Sequence, residues 1–196
     1  MEGLHTQDAV RAAPDAVLLQ QFYHRDEVAR RLKTTRGSIR ALLERKPSSR
    51  GDRCLQAAAE LVRRSLQESI ARDVLSSPSI VRDYLRTFFL GWSEERFVVL
   101  WLDAQNGLIH TEELFRGTLT QTSVYPREVV RKAIEHQASA VVLAHNHPSG
   151  VAEPSAADRL LTENLKKALA LIDVKVIDHI IVSGDTAMSF AERGVL

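Results

Sequence analysis

Ala138-Ser139-Ala140-Val141-Val142-Leu143-Ala144-His145-Asn146-His147-Pro148-Ser149-Gly150-Val151-Ala152-Glu153-Pro154-Ser155-Ala156-Ala157-Asp158 reads as three pieces in succession. The segment from Ala138 to Ala144 is a short apolar run, of the length and composition of a strand buried on both faces. Pro148 and Gly150 then turn the chain, and a helix is expected to open near Ser155. Side chains two apart on a strand point to the same side, so His145 and His147 at its end present two imidazoles to one point. Asp158, three residues after Ser155, lies in the first helical turn and can close back over them. Two nitrogens and one carboxylate oxygen leave a fourth tetrahedral position for water, the open pattern of a catalytic rather than a structural zinc.

Hydrolysis at such a centre needs two further groups. The metal-bound water requires a base to take its proton and deliver it to the leaving nitrogen, and the developing oxyanion requires a donor. Ser155 is placed for the donor role. Glu95, two residues before the apolar run that starts at Phe97, is chosen as the base, with Glu94, Glu112 and Glu113 as competing carboxylates. Plainer readings exist for each part. Ser155-x-x-Asp158 is also an ordinary capping box, and a lone H-x-H is commonly surface chemistry. Their conjunction, H-x-H-x7-S-x-x-D, is what core packing has no reason to request.

Outward from this stretch, the chain divides by texture. From Ala16 to about Ala71 apolar residues recur at helical spacing, interrupted at Lys46-Pro47-Ser48-Ser49-Arg50-Gly51. Another helix is expected after Ser77 as N-cap and Pro78 in the first turn. Phe97 to Asp103 reads as a strand, and Asn106-Gly107 as the positive-φ pair of a tight hairpin turn leading into Leu108-Ile109. Pro126-Arg127-Glu128 opens a helix. A further helix runs from Ser155 to about Ile172, and Val174 to Val182 forms a strand. The expected organisation is a helical domain over residues 1–73, with the boundary near Asp73, followed by an α/β (α+β) domain over residues 74–196 in which helices flank a mixed β-sheet.

The chain has 196 residues, 44% of them hydrophobic, enough to bury a core. Its single cysteine, Cys54, excludes an internal disulfide and is read as a packing residue, so any metal site must use His, Asp and Glu. No run of about 18 apolar residues occurs, and the N-terminus lacks the pattern of a secretory signal, so a cytoplasmic protein without membrane contact is expected. Net charge is +1 overall, yet residues 25–64 hold twelve Arg and Lys against five Asp and Glu. That basic segment is either a nucleic-acid footprint or the Arg-rich face of ordinary surface helices. Asp178-His179 either orients a metal ligand or is a structural pair. Arg127 binds an acidic substrate group or pairs with a carboxylate, and His5, His24, His110 and His136 are read as surface residues.

These residues resemble the JAMM (MPN-plus) metallohydrolase motif, a glutamate upstream of H-x-H-x7-S-x-x-D. The resemblance is closer to the RadC family of bacterial proteins, whose HNHPSG signature matches His145 to Gly150. Gly117-Thr118-Leu119, Tyr125-Pro126-Arg127-Glu128, Asp178-His179 and Ser189-Phe190-Ala191-Glu192-Arg193-Gly194 are also similar to RadC patterns, and the likeness spans roughly Val74 to Leu196. It implies a JAMM fold with zinc in the roles given above, and places the family's glutamate on Glu95. It also implies a helix-hairpin-helix unit ahead of the catalytic domain, which in such units binds DNA through the backbone amides of a G-x-G turn. Here the corresponding stretch, Glu44 to Gly51, has one glycine and a proline, so DNA contact through side chains stands beside a helical packing or dimerisation module.

Two functional classes therefore follow. One is a zinc metallopeptidase or isopeptidase acting on a peptide or isopeptide substrate. The other is a DNA-binding or DNA-processing protein, in keeping with the repair label the RadC family carries, whose metal serves nucleic-acid chemistry or structure. A scaffold that holds zinc without turnover is the third.

Overall fold

The computed structural model describes residues 7–70, 74, 78–117 and 124–196. The chain falls into two compact units, Met1–Leu61 and Val62–Leu196. Asp73, near which a boundary was expected, and Ser77, His5 and Thr118-Leu119 lie outside the described residues.

The first unit holds α1 (Gln7–Ala12), α2 (Asp15–Leu19), α3 (Arg25–Thr34), α4 (Ile39–Leu43) and the first part of α5 (Arg50–Ile70). Its helices are short because Pro14, Gly37 and Pro47 interrupt them, and they close on a small core of Leu19, Tyr23, Val28 and Leu42. A buried carboxylate ties this core together. Asp52 accepts hydrogen bonds from Tyr23 Oη at 2.8 Å and from the amides of Ser48 and Ser49 at 2.8 and 2.9 Å, and it pairs with Arg31. Burial alone would raise its pKa, but these bonds outweigh burial and hold it well below the usual carboxylate range. Burial, with the Asp52 hydrogen bond, pushes Tyr23 up to about 12.

A depressed folded-state pKa contributes stability that is complete above the unfolded value near 3.8 and lost as pH falls toward the lower folded value. Asp52→Ala, which leaves Tyr23 Oη and the Ser48 and Ser49 amides without their acceptor and Arg31 with Glu27 alone, is expected to destabilise this unit by about 2 kcal/mol at neutral pH. The difference from wild type should shrink below the unfolded carboxylate value, as read by hydrogen exchange of the first turns of α5. The amides of Ser48 and Ser49, in the stretch likened above to a hairpin turn, thus donate to Asp52 within the chain.

The second unit is built from α6 (Pro78–Phe88), β1 (Arg96–Leu102), β2 (Leu108–Arg116), α7 (Pro126–Glu135), β3 (Ala140–Asn146), α8 (Ala156–Ala170), β4 (Lys175–Ser183) and β5 (Thr186–Ser189). Among the described residues it forms a five-stranded mixed sheet in the order β2-β1-β3-β4-β5, flanked by helices. β3 and β4 are parallel, joined through α8, and the remaining neighbours are antiparallel. Strand periodicity sorts the side chains into two cores. Val98, Leu100, Leu102, Val142, Ala144 and Ile180 meet α6 through Val81, Tyr84 and Leu85. Phe97, Val99, Trp101, Val141 and Leu143 meet α7 and α8 through Val129, Leu165 and Leu169. His145 continues the odd-numbered side of β3 and so faces α8.

Three expectations are corrected. The β1–β2 connection is not a two-residue turn with a positive-φ pair: Asn106 has φ 61°, whereas Gly107 is not in the positive-φ region. Instead Asp103 Oδ1 accepts from the amides of Gln105 and Gly107, both at 2.8 Å, which organises a longer loop. Cys54 is exposed rather than packed, since the apolar stripe of α5 passes it by. His136 is not a free surface residue. Its ring stacks on Trp101 with centroids 5.3 Å apart and donates from Nε2 to Glu112 at 2.9 Å, a carboxylate also held by Lys132.

Candidate metal centre

Four side chains from three parts of the chain converge beside the end of β3. Glu95 precedes β1, His145 ends the apolar part of β3, His147 lies just beyond it, and Asp158 is in the first turn of α8. One ligand atom from each lies within 4.8 Å of every other. His145 Nε2 is 2.9 Å from His147 Nε2 and 3.3 Å from Asp158 Oδ1, His147 Nε2 is 3.6 Å from Asp158 Oδ2, and Glu95 Oε1 is 4.0 Å from His147 Nε2.

Local structure explains each placement. The backbone of His147 is tied to β4, its amide donating to Val182 O at 2.8 Å and its carbonyl accepting from Ser183 Oγ at 2.9 Å. Gly150, at φ 92°, then lets the chain double back in a conformation disfavoured for other residues. Ser155 caps α8 in a full capping box: its Oγ accepts from Asp158 N at 3.1 Å, and its N and Oγ both donate to Asp158 Oδ2 at 2.7 Å. Capping and metal-ligation geometries are thus not alternatives, because Asp158 turns one oxygen to the cap and the other to His145.

The imidazole tautomers follow from the hydrogen-bond inventory. Thr162 Oγ1 lies 2.6 Å from the carbonyl of Asp158, which can only accept, so the hydroxyl donates there. It therefore accepts from His179 Nδ1 at 2.6 Å, which leaves His179 Nε2 as the acceptor for His145 Nδ1 at 2.8 Å. His147 Nδ1 donates to Val151 O at 2.8 Å. Both Nε2 lone pairs consequently face each other and Asp158. Two lone pairs and a carboxylate aimed at one point repel unless a cation stands among them, so the donor set fits a divalent metal.

The charges of His145 and His179 agree with this reading. Burial lowers the pKa of His145 and, together with the neighbouring His145, lowers that of His179 well below the ordinary value, so both are neutral at pH 7. The neighbouring Asp158 carboxylate raises His147 against the effect of burial. Asp158 itself is held far below the usual range: burial would raise it, but the adjoining His145 and His147 rings and the Ser155 hydrogen bond outweigh burial.

Of the pair Asp178-His179, only His179 reaches the site. A bulge at Ile177, where Val141 pairs with Val176 but Val142 pairs with Asp178, places an extra residue in β4. It turns His179 to the side of Leu143 and His145 and sends Asp178 to the α6 side, among Val81, Val142 and Ile180. There Asp178 accepts from Ser189 Oγ at 2.6 Å and Ala191 N at 3.0 Å, anchoring the segment whose Phe190 stacks on the His179 ring at 4.8 Å. Arg127 pairs with Glu128 at 3.6 Å and lies over Tyr125. Among the competing acids, Glu94 pairs with Arg116, Glu113 with Arg96 and Glu112 with Lys132.

A family model described as the RadC-like JAB domain matches residues 75–195. The chain belongs to that family. A relative in Dechloromonas aromatica named UPF0758 protein is 62% identical over 144 residues, covering 72% of this chain and 64% of that protein. Another UPF0758 protein, from Chromobacterium violaceum, is 52% identical over 180 residues, 87% of this chain and 80% of the relative. A third, from Thiobacillus denitrificans, is 59% identical over 143 residues, 72% of this chain and 64% of the relative. The chain thus spans less than two thirds of the first and third of these relatives. Their names state no reaction. Among the described residues, no helix is long and apolar enough to cross a membrane.

Two site residues escaped the sequence reading of this RadC-like domain. Thr162 is four residues after Asp158, a helical spacing that puts it under the same turn, but its partner His179 comes from another strand. Asn146, between the two histidines, was visible only as part of a signature. Thr162→Val keeps shape and removes the hydroxyl, leaving His179 Nδ1 without its acceptor. It is expected to weaken binding of a divalent metal, with Zn2+ as the probe, by about tenfold or more, with Thr162→Ser restoring it. Competition with a chromophoric chelator measures the affinities, and imidazole 15N shifts report the His145 tautomer.

Proposed function

We propose that this RadC-like JAB domain is a zinc-dependent hydrolase that cleaves a peptide or isopeptide bond. The observation that carries the reading is the convergence of Glu95, His145, His147 and Asp158 within 4.8 Å, with both imidazole Nε2 lone pairs facing inward. His145, His147 and Asp158 would hold the ion, and two nitrogens with one oxygen are a donor set zinc accepts readily. When bound, zinc would bring the pKa of a coordinated water toward about 7 and polarise the substrate carbonyl.

The chain's own residues supply the rest. Glu95, with its carboxylate 4.0 Å from His147 Nε2, takes the proton from water as oxygen bonds to the carbonyl carbon. It returns that proton to the nitrogen as the carbon–nitrogen bond breaks. Ser155 Oγ, now donating to Asp158, swings its hydrogen toward the oxygen on which negative charge develops. Burial of His145, His179 and Asp158 keeps water from competing for these contacts.

The alternative, DNA binding or processing, draws on exposed Arg25, Arg30, Lys33, Arg36, Arg45, Lys46, Arg50 and Arg53. The Asp52 contacts argue against the amide mode, so any DNA contact in residues 25–64 would run through these side chains and weaken steeply with salt. The decisive experiment pairs metal analysis of the purified protein with a screen of peptide, isopeptide and single-stranded DNA substrates. Stoichiometric zinc with peptide or isopeptide cleavage is the expected result. Zinc-dependent scission of DNA alone would replace the reading.

A further inference from the structure

Asn146 sits between two residues of the metal cluster, yet its side chain does not join them. It is buried, 2% exposed. Its Oδ1 accepts from the amide of Arg96 at 2.8 Å, and its Nδ2 donates to the carbonyl of Glu94 at 2.9 Å. An amide N–H can only donate and a carbonyl only accept, so the orientation of the carboxamide is fixed by its partners. The two bonds bracket Glu95 on either side. Gly117 N adds a third bond to this stretch, donating to Glu95 O at 2.9 Å.

Topology gives these bonds their meaning. β1 and β3 are paired from Leu102↔Ala140 to Phe97↔His145, and the backbone ladder stops there. One residue further, Arg96 and Asn146 stand opposite each other, and the Asn146 side chain takes over where the ladder ends. The flanking Arg96 side chain is itself held, over the Trp92 ring at 4.0 Å and to Glu113 at 2.7 Å. A single tripeptide therefore sends two imidazoles to the candidate metal cluster and one carboxamide to the backbone that carries the acid.

We infer that Asn146 is the positioning residue for Glu95: it registers the acid against the two histidines through the backbone of Glu94 and Arg96. Only a planar group with one donor and one acceptor at this reach makes both bonds. Asp retains the acceptor and loses the donor, and Ala loses both. The inference rests on Glu95 acting at the metal, as proposed above.

A double-mutant cycle on Zn2+ affinity, read by competition with a chromophoric chelator, tests it together with the visible spectrum of the Co2+-substituted protein. Glu95→Gln is expected to weaken Zn2+ binding by about tenfold, in the range for groups adjoining a metal's ligands. Asn146→Ala should weaken it to a similar degree and reproduce the Glu95→Gln cobalt spectrum, and adding Glu95→Gln to it should cost nothing more. Asn146→Asp, nearly isosteric, should show the same loss of the Glu95 effect should the alanine variant fold poorly. If Glu95→Gln still costs its full tenfold in either background, the inference is overturned while the metal reading stands. If wild type binds no zinc, or Glu95→Gln changes neither affinity nor spectrum, the Glu95 reading falls and takes this inference with it.

Discussion

Asp158→Asn is expected to abolish stoichiometric zinc binding while leaving the fold in place. Asp158 Oδ1 lies 3.3 Å from His145 Nε2 and is the oxygen that would complete the ligand set. Its other oxygen accepts from Ser155 N and Oγ at the start of α8. An asparagine keeps an acceptor for the cap but removes the charge that two imidazoles and a cation would share. Affinity should fall by more than about a hundredfold, beyond what changes behind the ligands cost. Asp158→Ala also removes the carboxylate half of the capping box, leaving the Ser155 Oγ bond to the backbone amide, and should add about 1 kcal/mol of destabilisation. Metal content and thermal unfolding, measured on both variants, separate the two roles. Full zinc occupancy in Asp158→Asn would eliminate the proposed ligand set.

Glu95→Gln is expected to show the opposite dissociation. The side chain stands 4.0 Å from His147 Nε2, close enough to serve water beside the ion without being one of its three ligands. Glutamine is nearly the same shape and cannot take a proton. Zinc should therefore remain bound, at the moderately reduced affinity given above, while turnover of a peptide or isopeptide substrate drops by about 10^2- to 10^4-fold, the span of a lost general base. A variant that turns over at the wild-type rate would pass the base role to another acid, and Glu94, Glu112 and Glu113 would each have to leave an arginine or lysine to take it up.

Much of the candidate site was legible because its parts are close in sequence. His145 and His147 end one strand, and Asp158 begins the next helix. Strand alternation and the first helical turn are local geometry, and Pro148, Gly150 and Ser155 punctuate the path between them. Glu95 was harder to place, since nothing in Glu94-Glu95-Arg96 distinguishes the two acids. The structure separates them by pairing Glu94 with Arg116 and leaving Glu95 against the histidines.

What the chain determined by itself was therefore the mixed α/β layer, the helical N-terminal region and the local grouping of His145, His147 and Asp158, because each follows from periodicity and turn chemistry over a few residues. Tertiary structure alone decided which neighbours support that triad. Reading β4 as a plain alternating strand gives no reason for His179 to share the side of His145. The extra residue at Ile177 shifts the alternation, so His179 turns inward to meet Thr162 and Asp178 turns away. A one-residue slip reverses every side chain after it, and whether it occurs depends on how β4 pairs with β3. Asn146 is the same case: its carboxamide bridges 50 residues of chain to reach Arg96, and only the end of the β1–β3 ladder brings the two together.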